Sequence, residues 1–235
     1  MDDVLVDRAQ LILDKLNVQV QFHVPHTSRL LIAIAGVPAS GKSTFATRLV
    51  HTLNSLLPAQ SQAVLVGLDG WHLTRAQLDA MDDPKHAHDR RGIHWTFDAP
   101  AYVDFVARLR DPVQPDTLIY APSFDHSLKD PTPDAVVITP SHRIVVIEGL
   151  YTMLDIDPWR RAAAQIDERW WVQIDPARAK TRLVKRHVQT GVAEDMDEAV
   201  WRAENNDEHN GNFISRNLFD VTYTIQSVDD PAYSI

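Results

Sequence analysis

No cysteine occurs among the 235 residues, which removes disulfides, thiolate zinc sites and cysteine nucleophiles from consideration. A reducing compartment suits such a chain. Excess positive charge is missing as well. The chain has 32 acidic residues against 23 basic ones, and the net charge of -9 opposes a nucleic-acid backbone or an anionic membrane as a general partner. Nor is there an uninterrupted apolar run at the amino end. There Asp2, Asp3, Asp7 and Arg8 are interleaved with Val4, Leu5, Leu11 and Leu13, the pattern of an amphipathic helix rather than of a signal sequence or a membrane span. Internal repeats, low-complexity tracts, a helical His-x-x-x-His pair and the guanine-reading Asn-Lys-x-Asp tetrapeptide are all absent. The expectation is therefore a cytoplasmic protein whose partner is a small molecule, not nucleic acid or membrane. A homodimer stays open.

What is present decides more. Gly36-Val37-Pro38-Ala39-Ser40-Gly41-Lys42-Ser43-Thr44 follows directly on the apolar run at 30–35 and opens a stretch with Phe45, Leu49, Leu53 and Leu56 at helical spacing. Strand, glycine loop and helix in that order make a phosphate-binding loop. A loop wrapped around a polyphosphate turns its backbone N–H groups inward, and side chains at Gly36 and Gly41 would obstruct that turn. The helix that follows aims its positive end at the same phosphates. Lys42 is then placed to reach the β- and γ-phosphates, and Ser43 to ligate Mg²⁺.

Further apolar runs lie at 63–68, 143–147, 170–174 and 221–225, and helical patterns at 43–56, 98–109, 158–164, 176–189 and 197–206 separate most of them. Such alternation predicts an α/β fold with a mostly parallel central sheet covered on both faces, with ligands at the carboxyl ends of its strands. At 44% hydrophobic the chain can bury one substantial core, and one domain over 1–235 is expected. The polar stretch 81–94 and the proline-dotted stretch 111–140 read as irregular, the kind of segment that supplies binding loops or lids.

The candidate chemistry falls at strand ends. Asp69, in Gly67-Leu68-Asp69-Gly70-Trp71-His72, is placed to accept the proton of an attacking hydroxyl; the alternative is a turn aspartate in an Asp-Gly pair. Glu148 ends the run Ile144-Val145-Val146-Ile147 and, with Ser43, forms the candidate metal site, with a structural carboxylate bonded to a loop N–H as the alternative. Arg178, Arg182 and Arg186 recur four apart, a spacing at which like charges repel unless an anion visits, and triphosphate is the obvious anion. A solvated basic face is the plainer reading. Arg91, His94 and Trp95, ahead of Asp98 as a helix N-cap, could grip a polar acceptor with Trp71, His72, Phe124, Asp125 and Tyr151; core packing competes for the aromatic residues. His126, next to Asp125, belongs to the same weaker group. For 205–210, rich in side chains that bond backbone at helix ends, capping competes with ligand contact.

In these motifs the chain resembles the phosphoribulokinase, uridine kinase and pantothenate kinase family of P-loop small-molecule kinases. The likeness spans roughly 30–225. It rests on the loop from Gly36 to Thr44, Leu68-Asp69-Gly70-Trp71-His72, Arg91-Gly92-Ile93-His94-Trp95-Thr96-Phe97-Asp98, the segment 120–125, Ile147-Glu148-Gly149-Leu150-Tyr151, the arginine helix, and Asn206-Asp207 with Asn210. It implies a P-loop NTPase three-layer sandwich, ATP and Mg²⁺ as cofactors, Asp69 as catalytic base, and Arg182 and Arg186 in a mobile lid over ATP at 178–191. A substrate-side loop falls at 81–97. Asp-Gly-Trp-His looks closer to the pantothenate-kinase-like and sugar-kinase-like branches than to uridine kinases, which usually carry Asp-Ser-Phe-Tyr there. The expected activity is transfer of the γ-phosphoryl group to a hydroxyl of a pantothenate-like, sugar or nucleoside acceptor. Lys42, Asp69, Arg182 and Arg186 form the catalytic set, and Gly36, Ala39, Ser40, Gly41, Ser43, Thr44 and Arg178 join Lys42 in holding the nucleotide. The rival expectation is a nucleotide-binding regulator of the same fold that has lost transfer.

Overall fold

The computed structural model describes residues 2–21, 28–125 and 128–229. At its centre is β1 (Leu30–Gly36), buried at every position. Leu31, Ala33 and Ala35 join the core cluster on one face of the sheet, and Leu30, Ile32 and Ile34 join the cluster on the other. A strand covered on both faces has no solvent side, so its sequence is a continuous apolar run rather than an alternation.

Four more strands pair around it: β2 (Gln62–Gly67), β5 (His142–Glu148), β6 (Glu168–Gln173) and β7 (Tyr223–Gln226). The sheet order is β2-β5-β1-β6-β7 and every pairing is parallel. On one face lie α1 (Asp2–Gln21) and α2 (Lys42–Leu56), through Leu5, Ala9, Ile12 and Leu16 and through Phe45, Ala46, Leu49 and Leu53. The other face is covered by α5 (Ala99–Arg110), α6 (Trp159–Ala163) and α9 (Glu208–Arg216), with Tyr102, Val106, Trp159 and Ile214 at the contact. This is the three-layer α/β sandwich that the order of elements implied. Asp98 caps α5 as its position suggested, accepting from the Ala101 amide at 3.0 Å. Among the described residues no helix is long and apolar enough to cross a membrane.

Three stretches differ from the sequence reading. The segment 111–140 holds an antiparallel hairpin, β3 (Ile119–Asp125) and β4 (Asp130–Ile138), separate from the main sheet. Its prolines, Pro122, Pro131 and Pro133, and its mostly exposed second strand break the alternation by which a strand is recognised. The second difference is helical. α8 (Met196–Arg202) does not stop near Asn206 but runs through a π-helical turn (Ala203–Asp207) into α9, so the polar residues at 205–210 are mid-helix rather than a cap. The polar stretch 81–94 also contains α4 (Pro84–Asp89), capped by Asp83, shortly after α3 (Arg75–Asp79) with its Thr74–Gln77 capping box. The remaining helix, α7 (Pro176–Gln189), shares a small core with α8 and the π turn, in which Ala39 of the phosphate loop packs beside Leu183, Val184, Ala199 and Ala203.

The hairpin meets the sheet at the 3₁₀ turn Leu68–Trp71. A Cβ on Gly70 would lie 2.6 Å from the Pro122 carbonyl carbon and 3.0 Å from the Ser123 nitrogen, so backbone meets backbone with no flexible atom to yield. Gly70→Ala is expected to destabilise the fold by about 1–3 kcal/mol, the usual range for overpacking. Urea denaturation measures it, and an unchanged midpoint would mean that the hairpin is free to ride outward.

Candidate active site

The phosphate loop owes its shape to residue types at fixed places. At Gly36 a Cβ would collide with the Ser40 hydroxyl and lie 2.9 Å from the Val172 carbonyl oxygen. Ala39 and Gly41 take φ of 60° and 90°, left-handed values that glycine adopts freely and alanine only under constraint. Gly41 caps α2 with no side-chain acceptor, which leaves the first-turn amides of that helix available to an anion. Ser40 is buried and its hydroxyl has no partner among the described residues. A cradle of free amides with an orphan buried hydroxyl fits a polyphosphate.

Parallel register brings the charged residues to the same end of the sheet. Glu148 aligns with Ile34 of β1 on one side and with Gly67 of β2 on the other, and Asp69 lies two residues beyond Gly67. Lys42 is half-buried. Desolvation pushes its ammonium pKa down, the nearby Glu148 and Asp69 carboxylates act against that, and Arg186 adds to the lowering. Burial pushes Glu148 up; Lys42 opposes it, Asp69 adds to it, and the bond from Ser43 opposes it. Ser43 donates from Oγ to Glu148 Oε2 at 3.1 Å. Hydroxyl and carboxylate oxygens this close, next to the phosphate cradle, fit Mg²⁺. Thr44 is exposed one residue further along α2. Behind Asp69, His72 donates from Nδ1 to the Asp69 backbone carbonyl at 2.8 Å, with the Asp69 carboxylate 3.9 Å from the same nitrogen.

The arginine face of α7 is not uniformly open to an anion, as its spacing had suggested. Arg178 pairs with Asp229 at 2.6 Å. Arg182 donates from Nε to the same carboxylate at 3.1 Å and also reaches Ser227 Oγ, the Val228 carbonyl and the Ala39 carbonyl, at 3.0, 3.0 and 3.2 Å. The two guanidinium groups hold Asp229 below the usual carboxylate range. Positions 178 and 186 are about 12 Å apart along the helix, so one carboxylate neutralises one end only. Arg178 is therefore corrected to an anchor for the segment after β7. Arg182 braces that segment against the phosphate loop. Arg186 has no ion pair among the described residues, and its charge is felt at Lys42.

On the acceptor side the candidates sort into packing and lining. The Trp71 ring is buried against Tyr102 and Phe105, a core residue rather than a ligand contact. Tyr151 is likewise buried, and its hydroxyl donates to the Gly92 carbonyl at 2.8 Å with the Asn210 amide beside it; it fixes the loop before α5 instead of opening to a ligand. Arg91 is spent on structure, donating to Leu73 and Lys129 carbonyls and to Asp130, with its guanidinium over Phe124. It pins the hairpin rather than gripping an acceptor. His72 packs between two rings, its centroid 4.0 Å from that of Phe97 and 4.8 Å from that of Phe124. His94 stacks on Phe213 at 4.7 Å, its Nδ1 is buried without a partner among the described residues, and desolvation lowers its pKa. Trp95 is part-exposed and stacked on His86. Asp125 is exposed at the end of β3. His126 lies outside the described residues.

Three residues at the site escaped the sequence reading: Asp130, Asp229 and Phe213. The first two act across the chain on arginines, and no local pattern announces that. Phe213 follows Asn206 and Asn210 at helical spacing, a signal that extending the helix past 206 would have exposed.

This fold and this site together define a P-loop kinase. The chain belongs to the phosphoribulokinase/uridine kinase family, whose model matches residues 31–200. It is 45% identical over 155 residues to the ATP-dependent kinase-like protein notR' of Aspergillus versicolor, a match covering 66% of this chain and 90% of that protein. Over 203 residues it is 34% identical to a Schizosaccharomyces pombe protein provisionally described as a uridine kinase, with 86% of this chain and 85% of the relative covered. A crystal structure of a protein from Silicibacter sp. TM1040, provisionally described as a fructose transport system kinase, superimposes with a TM-score of 0.80 at 28% identity, covering 94% of this chain and 98% of that one. Family membership implies ATP as phosphoryl donor, with Mg²⁺.

Proposed function

We propose that the protein transfers the γ-phosphoryl group of ATP to a hydroxyl of a small, uncharged, polyhydroxylated acceptor of the sugar class. The observation that carries the reading is the convergence of Lys42, Ser43, Asp69, Glu148 and Arg186 where three strands end beside the phosphate loop. In it, the loop amides and Lys42 hold the phosphates in line with the acceptor. Asp69 takes the proton that the acceptor hydroxyl loses as its oxygen bonds to phosphorus, and the bond to the ADP oxygen breaks. Arg186 meets the charge that spreads over the moving group. Ser43 and Glu148 would hold Mg²⁺, which would supply positive charge to offset that of the phosphates.

An uncharged acceptor is supported by what surrounds His72 and Phe124. Both arginines there, Arg75 and Arg91, are paired with Asp130, so neither guanidinium is left over for an anionic group on the acceptor. The family relative described for fructose transport points the same way.

A panel assay of ADP release, with hexoses, pentoses, nucleosides, pantothenate and glycerate as acceptors and Lys42→Ala as the blank, tests this. A hexose or pentose is expected to stimulate release at least ~10-fold over water. Stimulation by pantothenate or glycerate alone would overturn the acceptor class, and none by any acceptor would overturn the transfer.

A further inference from the structure

A cavity of about 420 Å³ lies beside the phosphate loop, and none of Lys42, Asp69 or Glu148 lines it. Its volume is within the range of small-molecule sites, about 300–1,000 Å³. The inner wall is Val37, Trp171, Ile174 and Leu183. The gap persists because Ala177, Ala203 and Gly211, on helix sides that face it, are too small to fill it. Its opening is lined by exposed Lys180, Glu208 and Asn212.

The same helices serve the active site with their other sides. On the π turn and α9, Asn206, Asn210 and Phe213 contact Arg90, Gly92 and His94, whereas Asp207, Gly211 and Ser215, four apart, line the cavity. On α7, Arg182 braces the phosphate loop, whereas Lys180 and Leu183 line the cavity. Contact with the loop is direct: a Cβ on Gly211 would stand 3.2 Å from Val37 Cγ1, one residue beyond Gly36. Anything filling the cavity would therefore bear on the phosphate loop and on α7 together.

The charges at the opening are unequally committed. Lys180 pairs with Glu204 at 2.5 Å and Asp207 with His187 at 2.9 Å. Glu208 forms no ion pair among the described residues, but its field reaches Lys180, which already pairs with Glu204, so two carboxylates face one ammonium there. A largely apolar chamber whose mouth carries more carboxylate than ammonium charge favours an apolar body with an amine head over an anion.

We propose that this cavity is a regulatory site for a ring-sized organic amine, separate from the catalytic centre and coupled to nucleotide binding through Val37 and α7.

The test is calorimetric titration of the full chain with benzylamine, benzyl alcohol and benzoate, followed by ATP titration with and without saturating benzylamine. Benzylamine is expected to bind at least ~10-fold more tightly than benzoate. Ala177→Phe, at an exposed helix position, fills the chamber and should weaken benzylamine at least ~10-fold; its melting temperature, measured alongside, reports folding. Glu208→Gln should reduce benzylamine to the affinity of benzyl alcohol. Saturating benzylamine should change ATP affinity at least ~3-fold in the wild type and not in Ala177→Phe. Absence of benzylamine binding, equal binding of benzoate, equal binding by Ala177→Phe, no loss of the amine preference in Glu208→Gln, or an ATP affinity indifferent to benzylamine would overturn the proposal. None of these readouts depends on which acceptor the enzyme phosphorylates.

Discussion

Asp69→Asn is expected to lower turnover at least ~10²-fold, a rise of about 2.7 kcal/mol in the barrier, while ATP still binds. The substitution keeps the size and planar shape of the side chain and removes only its ability to take a proton. It leaves the Asp69 backbone carbonyl bonded to His72, so the 3₁₀ turn has no reason to move. It also removes a negative charge that Lys42 and Glu148 both feel. Repulsion of the triphosphate falls with it, so KM for ATP should stay level or drop. That combination separates loss of a base from a damaged site, in which turnover and ATP affinity would fall together. Steady-state kinetics with a productive acceptor and calorimetry with ATP supply the two numbers. Turnover within ~3-fold of wild type would remove Asp69 from proton transfer.

The parts of this site that the sequence makes legible are those in which backbone does the work. Gly36 and Gly41, the strand before them and the helix after them form one contiguous unit whose geometry each residue type locally demands. Asp69 and Glu148 were legible for a related reason. In a parallel sheet, strand ends converge, so a carboxylate after an apolar run is at the ligand end whatever the details of register. What stayed hidden depends on partners distant in sequence. The even spacing of Arg178, Arg182 and Arg186 suggested one continuous face open to an anion. Asp229, contributed by the segment after β7, makes them inequivalent. Arg91 looked like a substrate ligand until Asp130 of the hairpin took it, and the hairpin itself was obscured by its prolines and its exposed outer strand. Trp71 and Tyr151 show the limit from the other side, because an aromatic residue near catalytic groups is as readily part of the core beneath them. Direction of the side chain decides, and spacing in a 3₁₀ turn does not give it.

Inequivalence along α7 yields the second large effect. Arg186→Ala is expected to cut kcat ~10²-fold or more, because it removes the one guanidinium on that face which pairs with no carboxylate among the described residues and whose field reaches Lys42. An arginine already satisfied by a carboxylate has little left to offer a phosphoryl group in flight. A cation without a partner interacts most strongly where negative charge develops. Arg182→Ala should behave differently. It releases the Ala39 carbonyl and Ser227, so the loop loses a brace, and the expected result is a raised KM for ATP with a smaller fall in kcat. For Arg178→Ala, whose exposed pair with Asp229 is screened by solvent, kcat should stay within ~2-fold. The ordering of the three variants carries the content. If Arg178→Ala and Arg186→Ala lost activity equally, Asp229 would have to release its arginines when nucleotide arrives, and the division of labour along the helix would be wrong. Measuring kcat and KM for ATP in the three variants, with Asp229→Asn as a fourth that frees Arg178 and Arg182 together, distinguishes a fixed brace from a carboxylate that competes with the triphosphate for the same cations.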